Sequence, residues 1–304
     1  MLKKGQNILI TGASSGIGQA LAVHYARNGA KNLFICGRNA DRLNETRVLC
    51  QKFGTNVHAA IIDVTDRELV RNWLNECEKI ADINLIIANA GVSSVTETPE
   101  NIRNTFNTNV FGVINTVLPA IDIYKARRER LLGQKDNANS SLDQFIARTK
   151  AKKKAFFRNP FSRKYLGDIG CELYKNDNKS IAIVSSIAGY HGLPACPSYS
   201  ASKACVKAWG AALRGQLKPF GINVSVICPG FVKSRITDQN TCPMPFFMPA
   251  DKAAAIIAAR LEKNVGLIAF PWPLRFAAWL VSILPERLSG LIYNRLPEKV
   301  SDKS

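Results

Sequence analysis

The sequence predicts an α/β fold built on a doubly wound parallel sheet, and three observations carry that prediction. Through residue 91, apolar runs of five or six residues alternate with helical stretches of ten to fifteen. The first run is followed at once by a glycine-rich turn, GASSGIG (Gly12 to Gly18), that opens a helix. At 304 residues, with 46% apolar and 21% charged side chains, the chain is long enough and ordinary enough in composition to bury one large core. Strands of a parallel sheet are covered on both faces, so they read as continuous apolar runs joined by helical crossovers.

Taken in order, NILIT (7–11) is the first strand, and QALAVHYARNG is an amphipathic helix ending at Gly29. NLFICGR (32–38), a helix over 40–53, VHAAIIDVT (57–65), a helix over 66–80 and INLIIANAG (83–91) continue the alternation. A glycine turn after the first strand presents bare backbone N–H groups and a helix N-terminus to a pyrophosphate, so a dinucleotide site is expected there. Further on, PSYSASKACV (197–206) puts Tyr199 one helical turn before Lys203 on the same face. An ammonium beside a phenol favours the phenolate and lowers a pKa that is otherwise ~10. That pairing suits an acid or base working near neutral pH. GLIAF (266–270) offers a seventh strand.

With these segments in place, the chain resembles the short-chain dehydrogenase/reductase family. TGASSGIG (11–18) has the family's TGxxxGxG spacing, and ANAG (88–91) is similar to its NNAG with Ala88 in the first position. NVFG (109–112) fits NxxG, YSASK (199–203) fits YxxxK with Ser186 thirteen residues upstream, and CPGFVKS (228–234) resembles the PG motif after the sixth strand. The resemblance covers roughly residues 5–125 and 178–240 and implies a Rossmann-type sheet of about seven strands. It also implies hydride transfer between nicotinamide C4 and a carbonyl carbon or alcohol. Tyr199 would move the proton, Ser186 would hydrogen-bond the reacting oxygen, and Lys203 would lower the Tyr199 pKa and bind the nicotinamide ribose. Asn109 would hold a water linking Lys203 to solvent. Ser185 fits the serine position less well, its spacing to Tyr199 being one too long.

For the cofactor, the resemblance assigns Gly12, Ser14, Ser15, Gly16, Ile17 and Gly18 to the phosphates. Asp63 and Val64 fall to the adenine, Asn89, Ala90 and Gly91 to the adenosine ribose, and Pro229, Gly230, Val232 and Ser234 to the nicotinamide end. Gly37 occupies the position at the end of the second strand that is usually acidic in NAD-preferring members, and Arg38 follows it. A guanidinium there pairs with a 2′-phosphate, helped by Ser14, so NADP(H) is expected over NAD(H). A solvated loop charge is the plainer account of Arg38. His24, His58 and His191 have no partners at ligand spacing, and no metal is expected. The eight cysteines form neither a CxxC pair nor a His/Cys cluster; Cys36 and Cys228 read as small core residues of a reducing compartment.

Two features lie outside the family pattern. Residues 124–179 hold fifteen Lys and Arg against six Asp and Glu, half of the net charge of +18. The excess peaks in RTKAKKKAFFRNPFSRKY (148–165), where four aromatics sit among the cations. A solvated excursion, an anchor on anionic lipid and a nucleic-acid contact all fit, and no recognition module accompanies the last. The second feature is GLIAFPWPLRFAAWLVSILPERLSGLIY (266–293), apolar but broken by Pro271, Pro273, Arg275 and Pro285. Its longest clean run is far short of the ~18–20 residues needed to span a bilayer. It suits an interfacial helix, a helix packed on its own protein, or one packed on a second subunit. Between the two, Pro243, Met244, Phe246, Phe247 and Met248 suit an apolar wall over substrate.

The expected organisation is a catalytic domain over 1–265, with a basic insertion at about 127–178, and an apolar extension over 266–304. The expected activity is an NADP(H)-dependent oxidoreductase of a hydrophobic ketone, aldehyde or alcohol, a lipid among the candidates. It is cytoplasmic, peripheral on the cytoplasmic face of a membrane if the anchor reading holds, and a homo-oligomer. The N-terminus leads straight into a strand, so no signal peptide is expected. The alternatives are a dehydrogenase of a soluble alcohol or steroid-like substrate, a non-catalytic nucleotide-binding protein, and a membrane or nucleic-acid scaffold using 148–165.

Overall fold

A computed structural model describes residues 5–94, 96–136, 179–238 and 243–293. Seven strands form one sheet in the order β3-β2-β1-β4-β5-β6-β7, and every neighbouring pair is parallel. They are β1 (Asn7–Thr11), β2 (Asn32–Gly37), β3 (Asn56–Ile61), β4 (Leu85–Ala88), β5 (Lys179–Val184), β6 (Ile222–Pro229) and β7 (Leu267–Phe270). The strand order reverses between β1 and β4, which opens a crevice at the carboxyl ends of the strands. The helices are α1 (Gly16–Arg27), α2 (Ala40–Gln51), α3 (Arg67–Ile80), α4 (Pro99–Phe106), α5 (Gly112–Asp136) and α6 (Pro197–Leu217), then α7 (Ala250–Glu262), α8 (Trp272–Ile283) and α9 (Glu286–Tyr293).

Period-two alternation splits the core between the two faces of the sheet. Ile8 and Ile10 of β1 pack with Leu21 and Tyr25 of α1 and Ala254 and Ile257 of α7. Leu9 points the other way, among Leu74 of α3, Val117 and Tyr124 of α5 and Leu213 of α6. Side-chain caps set several helix starts: Asn39 accepts from the Arg42 N–H, Asp66 from Leu69 N–H and Thr98 from Asn101 N–H. The helix expected from residue 66 therefore begins at 67, with Asp66 as its cap.

Several expected boundaries move. The strand expected over 57–65 ends at Ile61, because Asp63 closes a turn by accepting from both N–H and Oγ1 of Thr65, each at 2.9 Å. That turn swings Asp63 and Val64 out of the sheet edge toward the crevice. The helix α5 runs through the start of the basic insertion expected at about 127–178 and ends at Asp136; residues 137–178, with the basic run 148–165, lie outside the described residues. Residues 267–270 pair with β6 as the seventh strand, so the apolar continuation starts beyond them, at Pro271.

Arg127 shows why α5 stays ordered past its apolar stretch. Its guanidinium is buried, donating to Glu78 Oε1 from Nε at 2.9 Å and to the Ile83 carbonyl from Nη1 at 3.0 Å. The pair ties α5 to the end of α3 and the entry to β4. Breaking a buried pair strands a charge, so Arg127→Ala is expected to lose about 3–5 kcal/mol in urea denaturation. Lys79→Ala, at the exposed pair with Glu76, should change stability by less than about 0.5 kcal/mol. Equal effects of the two would show that the buried pair does not anchor α5.

Candidate active site

The turn from β1 into α1 forms the floor of the crevice. Gly12 has φ +67°, and a Cβ there would stand 2.7 Å from Ala90 Cα, so the turn passes against the end of β4 with no room for a side chain. Thr11 Oγ1 accepts from Asn89 N–H (3.1 Å) and Ala90 N–H (3.2 Å), while Asn89 Nδ2 donates back to the Thr11 and Gly12 carbonyls at 2.9 and 3.0 Å. These bonds lock the glycine turn to β4. A Cβ on Gly18 would meet Asn89 Nδ2 at 2.5 Å, so that glycine serves packing beneath the turn.

At the β2 end, Arg38 Nη1 lies 3.7 Å from Asp63 Oδ2, both side chains open to solvent. Arg42, one turn into α2, also lines the crevice, and its buried Nε has no hydrogen-bond partner among the described residues. Two guanidiniums and the Ser14 hydroxyl thus border one end.

The other end is built by β5, α6 and the segment after β6. Ser186 follows β5, its Oγ accepting from Ala188 N–H at 3.1 Å, and it lines the cleft together with Tyr199. Lys203, one turn beyond Tyr199, is buried and donates from Nζ to the Val184 carbonyl at 3.1 Å; its Nζ lies 5.7 Å from the Tyr199 ring centre. The Ser185 hydroxyl donates to the Lys203 carbonyl at 2.7 Å and so fixes α6 against β5. Asn109 sits in a π-helical turn, Asn107–Phe111, and is fully buried. Its Oδ1 accepts from Val92 N–H at 2.8 Å and its Nδ2 donates to the Val92 carbonyl and to Ser202 Oγ at 2.9 and 3.0 Å. Ser202 in turn donates to the Tyr199 carbonyl at 2.7 Å.

Burial governs the electrostatics here. It pushes the Tyr199 hydroxyl up to about 12, with the neighbouring Ser186 hydroxyl pulling the other way, and it lowers Lys203 to about 8. The net direction at Tyr199 is therefore upward and set by burial. Both groups share one poorly solvated pocket, and desolvation disfavours the charged form of each, phenolate and ammonium alike.

A cleft of about 390 Å³ joins the two ends, and every predicted site residue lines it except Gly18 and Asn109. Those two stand behind the wall, Gly18 under the turn and Asn109 between the β4 loop and α6. Three residues of the site are assigned no role by the sequence motifs. Thr11 and Arg42 lie inside the quoted motifs TGASSGIG and CGRNADR, but only the fold shows what they touch. Glu97 is a longer reach: its Oε1 accepts from both Oγ (2.8 Å) and N–H (3.2 Å) of Ser198, placing a carboxylate at the start of α6, where the helix dipole favours it. No local pattern links positions 101 residues apart.

The fold and cleft are those of an oxidoreductase with a dinucleotide cofactor. The profile of the short chain dehydrogenases matches residues 6–130 and 169–243, more than half of the chain. The protein belongs to the short-chain dehydrogenase/reductase family and is an NAD(P)-dependent oxidoreductase acting on CH–OH or C=O groups. An uncharacterized oxidoreductase of Myxococcus xanthus is 29% identical over 296 residues, 95% of this chain and 96% of that protein. The 17-beta-hydroxysteroid dehydrogenase 13 of Homo sapiens is 22% identical over 303 residues, 96% of this chain and 83% of that one. Among solved structures, a short chain dehydrogenase from Burkholderia cenocepacia in complex with NADP superimposes with a TM-score of 0.68 at 20% identity, covering 97% of this chain and 99% of that chain; that likeness is one of fold.

The depressed Lys203 pKa has a consequence for stability. The unfolded side chain holds its proton up to its ordinary 10.5 and the folded one only to about 8, so the penalty is complete below pH 8 and gone above 10.5. Lys203→Met removes it. The stability of the variant relative to wild type should fall by roughly 3 kcal/mol between pH 7 and 10.5, read by denaturation at several pH values. A difference independent of pH would sink the account of a desolvated ammonium.

Proposed function

We propose that the protein is an NADP(H)-dependent reductase of hydrophobic ketones or aldehydes, lipids among them. In this reading it works in the cytoplasm as a homo-oligomer in peripheral contact with anionic membrane. The observation that carries the reaction is that Ser186, Tyr199 and the buried Lys203 line one cleft with the glycine turn. When bound, the nicotinamide supplies the hydride at C4. Tyr199 gives its hydroxyl proton to the substrate oxygen, and Ser186 hydrogen-bonds the same oxygen as charge develops on it. A phenol held near 12 stays protonated at neutral pH, the form a proton donor in reduction needs. Lys203 binds the nicotinamide ribose. Asn109 positions α6 through Val92 and Ser202 and holds the water that joins Lys203 to solvent.

The cleft fits the cofactor. The glycine turn offers backbone N–H groups to the phosphates, and the unpartnered Arg42 Nε is a buried donor in want of an acceptor. Arg38, Arg42 and Ser14 together receive a 2′-phosphate, with Gly37 in place of an acidic residue at the end of β2 and Arg38 turning from Asp63 toward the phosphate. Asp63 and Val64 take the adenine, Asn89 to Gly91 its ribose, and Pro229, Gly230, Val232 and Ser234 the carboxamide end. The steroid dehydrogenase among the relatives supports an apolar substrate. It also supports the second reading, a dehydrogenase of a soluble steroid-like alcohol.

The test follows NADPH oxidation with short ketones and with long-chain 3-keto lipids presented in anionic or neutral vesicles. Tyr199→Phe should lose about 10²–10⁴ in turnover while still binding NADPH. Arg38→Glu should weaken NADPH by about 100-fold and leave NADH nearly unchanged, the worth of one or two charge-assisted bonds. Turnover surviving in Tyr199→Phe would overturn the acid assignment. Equal use of short ketones, indifferent to vesicles, would leave a general carbonyl reductase.

A further inference from the structure

The C-terminal helices carry an apolar surface that nothing in the reaction requires. On α8, Leu274 and Ala278 face the protein, packing against Ile187, Tyr190 and Cys228. The opposite side is apolar too: Trp272, Phe276, Trp279, Leu280 and Ile283 fall at i, i+4, i+7, i+8 and i+11, a full helical stripe, and all are exposed, Trp272 by 75% and Ile283 by 57%. No residue of α8 is fully buried. On α9, Leu288 and Leu291 are likewise exposed. A helix with a second, outward apolar stripe is covered in the working state by something other than its own core.

Its place in the fold is specific. Leu274 and Pro271 close over Gly230, a residue of the cleft wall, so α8 borders the nicotinamide end of the cleft. The loop after β6 reaches out beside it: Met248 is buried and bridges to Val232, while Phe246 and Phe247 are exposed, Phe246 in the left-handed region at φ +59°. A non-glycine residue held there costs free energy, and the outcome is an aromatic ring turned into solvent.

Charge decides between occupants. No acidic residue lies between Glu262 and Glu286, whereas Arg275 on α8 and Arg287 on α9 are exposed. A second copy packed on the same face would bring Arg275 and Arg287 no carboxylate from this segment, whereas anionic headgroups supply the complementary charge. Two tryptophans and a phenylalanine beside arginines match the headgroup zone, where amphipathic rings and long basic side chains both find their preferred surroundings. No described helix is long and apolar enough to cross a membrane, which leaves an in-plane contact for this one.

We infer that the outward stripe of α8, continued by α9 and the Phe246–Phe247 loop, is the surface by which the protein lies on an anionic lipid bilayer, with the cleft mouth at the headgroup level. This deepens the membrane contact proposed above and does not depend on the hydride-transfer reading. An apolar carbonyl compound dissolved in the bilayer would then reach the cleft without crossing water.

The test uses the full chain and vesicles of phosphatidylcholine with phosphatidylserine. Phe276→Ser with Trp279→Ser should lower the fraction co-sedimenting at least ~10-fold, with melting temperature and NADPH binding as wild type. Brominated lipids should quench tryptophan emission of the wild type, and Trp272→Phe with Trp279→Phe, which keeps the apolar face, should bind vesicles but lose the quenching. The inference is overturned if wild type ignores anionic vesicles, if the serine variant binds as well as wild type, or if quenching survives loss of both tryptophans. A wild-type dimer in gel filtration that the serine variant dissolves, with no vesicle binding, would overturn it in favour of a second copy. Loss of NADPH oxidation with vesicle binding intact would bear on the reaction alone.

Discussion

The ammonium of Lys203 is held out of water at the carboxyl end of β5, and much of the site follows from keeping it there. Burying a cation is costly unless polar atoms meet it. Here the Val184 carbonyl accepts from Nζ, Ser185 grips the Lys203 carbonyl, and Asn109 braces the same stretch of α6 through Ser202. Each of these bonds crosses from one element to another, so they register α6 against both β5 and the loop after β4. Glu97 adds a further cross-link at the helix start through Ser198. The result is a rigid seat for Tyr199 and Ser186, whose spacing is set by backbone contacts rather than by their own side chains.

The cleft divides by polarity. At the β2 end, Arg38, Arg42 and Ser14 offer cations and a hydroxyl to an anionic group. At the β6–β7 end, polar contacts thin out: Thr237 satisfies the backbone after the Pro229–Gly230 pair by accepting from Ser234 N–H at 2.8 Å, and beyond it stand Leu274 and the Phe246–Phe247 loop. The cationic end and the end with the Tyr199 and Ser186 hydroxyls thus stand apart along one cleft. On the outside, α8 adjoins the cleft wall where Leu274 and Pro271 close over Gly230.

Local patterns made much of this legible. β1 to β4 and their helices could be read because buried parallel strands are short apolar runs and their crossover helices carry a 3.6-residue period, both properties of neighbouring residues. The glycine turn and the Tyr199–Lys203 spacing are equally local: one is a backbone conformation, the other a single helical turn. These also determined which side chains would reach the cleft, since nearly all of them sit at strand ends or one turn into a helix.

What only the tertiary structure decided depends on atoms brought from far along the chain. Local spacing set Tyr199 beside Lys203 and pointed to a lowered phenol pKa; the enclosing pocket reversed the direction, because desolvation comes from everything packed around a group and no spacing records it. Arg127 counted as one charge in a basic run and proved to be a buried anchor, because its partner Glu78 lies on another helix. Arg42 and Glu97 took their places through folding alone. For α8 the sequence showed apolar residues on all sides, and only the fold determined which stripe met the core and which was left facing outward.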